Sequence, residues 1–215
     1  IGKNWYLGET LHAGIGQGYF LSTPLQLCLM TAQLANGGFK IKPRIVVDKN
    51  DIANNLQKYL DFRKENPNDL SSVDLQVFNF NLQPLFRNQE NINFIKDAMF
   101  AATNEVGGTS YRSRHTNKKF MFAGKTGSSQ IKRFTEAQRK AEVKQKDITY
   151  KERDHAWFVA FAPVKNPKYA ISVLVEHGGS GSSAAAPVAK KVIKKVIERH
   201  EIRDTMNVAK LGKNI

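Results

Sequence analysis

Residues 120–129, with the sequence FMFAGKTGSS, carry the strongest structural and chemical signal in this chain of 215 residues. The apolar residues 120–123 predict a buried strand, which would end by presenting a lysine, a glycine and hydroxyl side chains. In extended backbone alternate side chains share a face, so Thr126 and Ser128 are expected to point the same way. Together with the ammonium group of Lys125, the two hydroxyls would form a receptor suited to a carboxylate.

Two main-chain features of the same segment extend this prediction. Gly127 has no side chain and would let a substrate backbone approach closely. If the strand lies at the edge of its sheet, the N–H group of Ser128 is free to point at a developing oxyanion. The segment therefore favours a site that binds a carboxylate and assists acyl transfer. A strand that ends in a turn with an incidental lysine is the simpler alternative.

Other known motifs fit the sequence poorly. A Walker A phosphate loop would need a glycine where Lys119 stands, and the residues that follow read as a strand. The glycines within residues 14–18 do not complete a dinucleotide-binding pattern, because Tyr19 occupies the third glycine position. The five histidines show no metal-ligand spacing, and the single Cys28 excludes an internal disulfide and a cysteine-built zinc site.

The rest of the chain predicts helices and strands on both sides of this segment. Thr23 as N-cap, Pro24 at the first helical position and the glycines at 37–38 bound a helix. Residues 1–21 are glycine-rich and are expected to be irregular. The remaining predictions are a short or edge strand at 39–47, helices at 52–62 and 93–106, a helix or exposed loop at 131–154, a hairpin of strands at 155–162 and 169–176, and a helix at 187–200 with Val188, Val192, Val196 and Ile197 inward.

This order of elements predicts an α+β fold with antiparallel strands rather than a doubly wound parallel sheet. Three strands with two terminal helices make a thin sheet for a chain of this length. We therefore expect an incomplete domain from which strands are missing.

The charge balance is strongly basic, with 33 Lys and Arg against 19 Asp and Glu and a formal net charge of +14. Such an excess can attract nucleic acid or another polyanion. In residues 132–154, however, acidic residues are interspersed among the basic ones, which indicates a solvated surface. Because no nucleic-acid-binding signature accompanies the charge, a basic nucleic-acid-binding module is only an alternative hypothesis.

Several blocks of the chain, in order, resemble class B penicillin-binding proteins, especially the penicillin-binding protein 2 type. The resemblance extends with gaps from about residue 7 to residue 200. The blocks are Gly-Ile-Gly-Gln-Gly-Tyr at 14–19, Ser-Thr-Pro-Leu-Gln-Leu at 22–27, Gly-Gly-Thr at 107–109, Ala-Gly-Lys-Thr-Gly-Ser-Ser-Gln at 123–130, His-Ala-Trp-Phe at 155–158, Ala-Pro at 162–163, Asn-Pro at 166–167 and Glu-His-Gly-Gly at 176–179.

The resemblance implies a penicillin-binding transpeptidase domain of the serine β-lactamase-like fold. Residues 1–215 would be the C-terminal portion of this single domain, with 202–215 as a tail. The activity implied is peptidoglycan cross-linking by serine acyl transfer from D-Ala-D-Ala, with acylation by β-lactams. Lys125 would help to move protons, Thr126, Gly127 and Ser128 would bind substrate, and the Ser128 N–H would stabilise the oxyanion.

The resemblance also implies the surroundings of the protein. Its partners would be peptidoglycan stem peptides, β-lactams and the membrane-embedded cell-elongation machinery, with no nucleic acid. No cofactor and no metal are expected. The location would be the bacterial inner membrane, with the catalytic domain on the periplasmic face.

Two family motifs are missing from these residues: the Ser-x-x-Lys nucleophile and the Ser-x-Asn or Ser-x-Asp element, both expected before residue 14. Chance matches to these motifs occur at Ser129-Gln130-Ile131-Lys132 and at Ser72-Val73-Asp74, but neither has the required position. We therefore expect the chain by itself to lack transpeptidase and penicillin-binding activity. A degenerate, non-catalytic scaffold of the same fold is the second alternative.

Overall fold

The architecture is seen in a computed structural model, which describes residues 4–16, 18, 20–41, 43, 45, 84–131, 135–136, 140–141 and 147–211. The helices are α1 (Leu7–Gly14), α2 (Pro24–Ala35), α3 (Gln89–Asn104) and α4 (Ala186–Leu211), and the strands are β1 (Ala123–Ser129), β2 (His155–Ala162) and β3 (Tyr169–Val175). The strands form one antiparallel sheet in the order β1-β2-β3. The α+β prediction and the β2–β3 hairpin are confirmed.

The central strand β2 separates two apolar clusters because its side chains alternate between the faces of the sheet. The even-numbered residues, among them Phe158, are fully buried against α4. Phe161 belongs to the cluster formed with α2 and α3. Burial of a side chain as large as Phe158 stabilises the fold by about 1.5–3 kcal/mol. The sheet is thus covered by α4 on one face and by α2 and α3 on the other.

Helix α2 begins and ends as the sequence predicts. The Thr23 side chain accepts a hydrogen bond from the Gln26 N–H at 3.2 Å, and the Gln26 side chain accepts one from the Thr23 N–H at 2.8 Å. This capping box satisfies two N–H groups that the first turn leaves without intrahelical partners. After the helix, Gly37 and Gly38 adopt φ values of 93° and 87°, which disfavour residues with a side chain.

Helix α3 confirms the predicted helix but starts four residues earlier, at Gln89 rather than 93. The Asn88 side chain accepts a hydrogen bond from the Glu90 N–H at 2.8 Å and so caps the helix. The helix ends at Asn104, ahead of Gly107, whose φ is 90°. Its buried residues are Ile92, Met99 and Thr103.

The strand predicted over residues 120–123 is wrong in position. Lys118–Phe120 forms a 3-10 turn, and β1 begins only at Ala123. The Asn117 side chain accepts a hydrogen bond from the Lys119 N–H at 3.0 Å and starts this turn, which buries Phe120 without a strand. The Lys-Thr-Gly residues consequently lie within the strand and not beyond its end.

The prediction of irregular backbone over residues 1–21 is also wrong, because α1 occupies Leu7–Gly14. Glu9 stabilises its start by accepting a hydrogen bond from the Tyr6 N–H at 2.7 Å. No residue of α1 is buried, and the exposed fractions of Leu7 and Leu11 are 79% and 67%. Leu25 in the first turn of α2 is 67% exposed as well.

The inward face of α4 differs from the predicted one. Ala186, Ala189, Ile193 and Ile197 are buried, whereas Val188 and Val192 are exposed. Alanines allow the helix to approach the sheet closely, so the 3–4 spacing that includes them, rather than the valine spacing, meets the core. Of the predicted residues Ile197 is buried and Val196 half-buried, and α4 continues to Leu211, into the region expected to be a tail.

Some predictions fall outside the described residues. These are the helix at 52–62, residues 42, 44, 46 and 47 of the strand at 39–47, and much of the segment 131–154; the described residues of 39–47 form no strand. Phe39 makes only an isolated bridge with Pro84, and Tyr150–Glu152 is a 3-10 turn. Among the described helices, none has the length and apolar composition that a membrane span requires.

Candidate active site

Strand β1 lies at the edge of the described sheet, with β2 as its one strand neighbour there. The N–H and C=O groups of Gly124 both point away from β2 and bond to Thr103 of α3. Main-chain groups of alternate residues in a strand point to the same edge. The N–H groups of Thr126 and Ser128 therefore point to the same outer edge as that of Gly124, as the sequence-based interpretation required.

The Thr103 hydroxyl occupies both main-chain hydrogen-bonding groups of Gly124 at this edge. It accepts a hydrogen bond from the Gly124 N–H at 3.1 Å and donates one to the Gly124 carbonyl at 3.2 Å. Thr103 is fully buried, and Ser110 beside it donates to the Ala102 carbonyl at 3.1 Å. One helix side chain thus satisfies both polar groups of a buried strand residue and fixes β1 against α3.

Replacing Thr103 by valine should lower the free energy of unfolding by about 1–3 kcal/mol. Valine has nearly the same shape but leaves the buried N–H and C=O of Gly124 without partners. Chemical denaturation of the variant measures this loss, and Thr103→Ser, which retains the hydroxyl, is the matched control. Equal stability of Thr103→Val and Thr103→Ser would show that the hydroxyl does not stabilise this edge.

The polar side chains of Lys125 and Thr126 meet next along the strand. The Lys125 ammonium donates to the Thr126 carbonyl at 3.0 Å and lies 3.5 Å from the Thr126 hydroxyl. The Thr126 hydroxyl donates to the Thr109 hydroxyl at 3.3 Å. Lys125 and Ser128 are exposed, while Thr126 is half-buried. A cation and hydroxyl groups thus stand together on an accessible strand edge, which is suited to bind an anionic group.

Close approaches of neighbouring segments at three glycines fix the position of β1. A Cβ on Gly124 would lie 2.4 Å from the Phe158 ring, and one on Gly127 would lie 3.3 Å from the Trp157 Cβ. A Cβ on Gly181, in the π-helical turn Gly181–Ala185 that precedes α4, would lie 2.3 Å from the Trp157 carbonyl oxygen. This turn therefore packs directly on the β1–β2 backbone beneath Gly127, and only glycine permits the approach.

The structure brings Lys125, Thr126, Gly127 and Ser128 together on one strand edge. Sequence reasoning assigned no role to Thr103, Thr109 or Gly181. A polar Thr103 on the otherwise apolar face of α3 was the available signal for the first of these.

Of the other residues considered in the sequence, only some lie in the described part of the chain. Ser129, one of the chance motif matches, lies at the end of β1 opposite His155. Lys132 and residues 72–74 are outside the described residues. Trp157, next to Phe158 on β2, is half-buried. In the described part of the chain no group of three or more His, Cys, Asp or Glu residues could hold a metal ion.

A Lys-Thr-Gly strand at the edge of an antiparallel sheet covered by helices on both faces is one of the elements of penicillin-binding serine acyl-transfer domains. The chain belongs to the penicillin-binding protein transpeptidase domain family, whose model matches residues 1–194.

Known relatives agree with this assignment. The chain is similar to the peptidoglycan D,D-transpeptidase MrdA of Salmonella typhimurium, with 32% identity over 191 residues that cover 89% of this chain and 27% of the relative. In structure it is similar to penicillin-binding protein 2 of Helicobacter pylori in complex with MreC, with a TM-score of 0.63, 28% identity, and coverage of 91% of this chain and 28% of that one. Pseudomonas aeruginosa penicillin-binding protein 2 in complex with WCK 5153 gives a TM-score of 0.60 and 31% identity, over 90% of this chain and 34% of that one. The chain thus spans about a quarter to a third of the length of these relatives.

Proposed function

We propose that the complete protein is a serine-type peptidoglycan D,D-transpeptidase. The observation that carries the proposal is the outer edge of β1, where Lys125 and the hydroxyl groups of its neighbours are accessible beside main-chain N–H groups that point outward. Membership of the transpeptidase family supports the same reaction.

The reaction would proceed in two acyl-transfer steps. A serine hydroxyl attacks the carbonyl carbon between two D-alanines, the peptide bond breaks, and the terminal D-alanine leaves with the proton. The resulting ester is attacked by an amine from a neighbouring stem peptide, which forms the cross-link and restores the serine hydroxyl. The missing Ser-x-x-Lys motif means that the serine would be supplied by residues other than these 215.

Each residue of the β1 edge would have a distinct part in this reaction. The hydroxyls of Thr126 and Ser128 would bind the terminal carboxylate, and Lys125 would keep the site electropositive and help to move protons. The N–H of Ser128 would donate to the oxyanion that forms during attack. Gly127, without a side chain, would let the substrate backbone lie along the strand. β-Lactams would acylate the same serine because they present a similar carbonyl and carboxylate.

We also propose the setting in which this reaction occurs. The Helicobacter pylori relative is known as a complex with MreC, which favours a place for the present protein in membrane-embedded cell-elongation machinery. The corresponding location is the bacterial inner membrane, with the transpeptidase domain on the periplasmic face, where the stem peptides would be its substrate.

Incubation of the complete gene product with penicillin should give an intact-mass increase of one penicillin, on a serine outside residues 1–215. The 215-residue chain alone, treated identically, is the control and should show no adduct. Peptide mapping identifies the acylated serine. Absence of any adduct on the complete product would contradict the proposal and favour the non-catalytic scaffold, whereas an adduct on the isolated chain would contradict our placement of the nucleophile.

A further inference from the structure

A pocket of about 550 Å³ lies between the 3-10 turn Tyr111–Ser113 and the start of α4, and none of the residues Lys125–Ser128 lines it. Its walls carry four cationic side chains, those of Arg112, Lys190, Lys191 and Lys194. Ser113, Ser182 and Ser183 also line it, and no acidic residue does. The side chains that carry a full charge in the lining are thus all cationic, which suits an anion.

The positive charge of this pocket is largely uncompensated. Lys194 has a loose ion pair with Glu198 at 3.7 Å. Among the described residues, no ion pair is formed by Arg112, Lys190 or Lys191. Lys190 and Lys194 are four residues apart on one helix, where like charges destabilise each other. A bound anion would relieve this repulsion.

The helical turn Gly181–Ala185 runs without a break into α4, because the Ala186 N–H donates to the Gly181 carbonyl, so the positive end of the combined helix lies at Gly181. The N-terminal end of a helix carries a partial positive charge and favours anions. The first turn of α4 contains no acidic residue, and Lys190 and Lys191 follow closely behind it. Ser182 and Ser183 of the turn line the pocket, which therefore lies beside the positive end of this helix.

His115 also lines the pocket, and its pKa shows the effect of the positive charges on α4. Burial, followed by the positive charges of Lys190 and Lys194, lowers the pKa of its imidazole. The ring packs against Phe120, with the two ring centroids 5.4 Å apart. An anion would offset the charges that act on this ring.

We propose that this pocket binds a phosphate-class anion, a phosphate monoester or pyrophosphate group carrying at least two negative charges. Arg112 on one wall and the three lysines of α4 on the other would contact its oxygens. The group would be free in solution or part of a lipid headgroup, since both present the same phosphate chemistry. None of the residues Lys125–Ser128 lines the pocket, so the proposal does not depend on the transpeptidase reaction.

Binding of pyrophosphate to the complete gene product, measured by calorimetry at low salt, tests this proposal. Lys191→Glu should weaken the affinity by about tenfold or more, because a charged hydrogen-bond partner is lost and a repulsive charge is added. Lys195→Glu is the matched control: it lies on the same helix, makes the same charge change and does not line the pocket. Arg112→Gln, on the opposite wall, should also weaken binding and serves if Lys191→Glu fails to fold.

A second arm identifies the source of the phosphate. Soluble short-chain phosphatidic acid, whose headgroup is a phosphate monoester, replaces pyrophosphate, with short-chain phosphatidylcholine as the zwitterionic comparison. Loss of pyrophosphate affinity in Lys191→Glu but not in Lys195→Glu supports a site for a free phosphate group, and the same pattern with phosphatidic acid alone supports a lipid headgroup. The proposal is overturned if neither ligand binds, or if Lys195→Glu weakens binding as much as Lys191→Glu.

Discussion

Lys125→Ala in the complete gene product should slow acylation by penicillin by at least about 100-fold. The Lys125 ammonium is held at the β1 edge by the Thr126 carbonyl at 3.0 Å, beside the hydroxyls proposed to bind the carboxylate. Its removal takes away both the positive charge and the proton donor at the place where negative charge develops. The second-order rate constant for acylation by a fluorescent penicillin measures the effect.

Two further variants separate the possible causes. Lys118→Ala removes the same charge from the exposed 3-10 turn before β1 and should leave the rate unchanged. Lys125→Arg keeps the charge but replaces a compact ammonium by a planar guanidinium that does not readily release a proton. Recovery of the rate in Lys125→Arg would assign the effect to charge, and no recovery would assign it to proton transfer. A rate for Lys125→Ala within threefold of the unmodified protein would contradict a role for Lys125 in the site.

Gly181→Ala should lower the free energy of unfolding by about 3 kcal/mol. The new Cβ would lie 2.3 Å from the Trp157 carbonyl oxygen and 2.8 Å from that of Gly127. Both are main-chain atoms of the β1–β2 ladder, so the collision cannot be relieved by rotation of a side chain. The π-helical turn or the edge strand must move, and chemical denaturation together with the acylation rate would report the movement.

The same substitution at an open position is the control. A Cβ on Gly8 in α1 would meet nothing within 4 Å, so Gly8→Ala should be neutral or slightly stabilising. If Gly181→Ala is as stable as Gly8→Ala, the close packing of the turn beneath Gly127 is not required. If stability falls but acylation is unchanged, the turn supports the fold without positioning β1.

Local sequence signals predicted most of the elements that build the site. The Thr23–Gln26 capping box, with Pro24 and the following glycines, bounds α2 by interactions between near neighbours. The apolar run of β2 and the hairpin to β3 were predicted to within one residue, because short apolar runs separated by turn residues are visible without any knowledge of the partner strands.

The errors occurred where distant contacts or local capping decided the outcome. Helix α1 contains Gly8 and Gly14 and was predicted as irregular, yet Glu9 caps its first turn. For α4, both the valines and the alanines follow a helical spacing. The sheet selected the alanine face because a smaller side chain allows closer contact.

The sequence by itself determined the chemistry of the candidate site: a cation, two hydroxyls and a glycine in consecutive extended residues, in blocks that identified the family. This information is local because the side chains and their alternation depend only on neighbouring residues. Only the tertiary structure decided that β1 is an edge strand, that the Thr103 hydroxyl satisfies Gly124, and that Gly181 lies beneath Gly127. Those features depend on how closely segments far apart in the chain pack against each other. Such close packing leaves no periodic signal in the sequence.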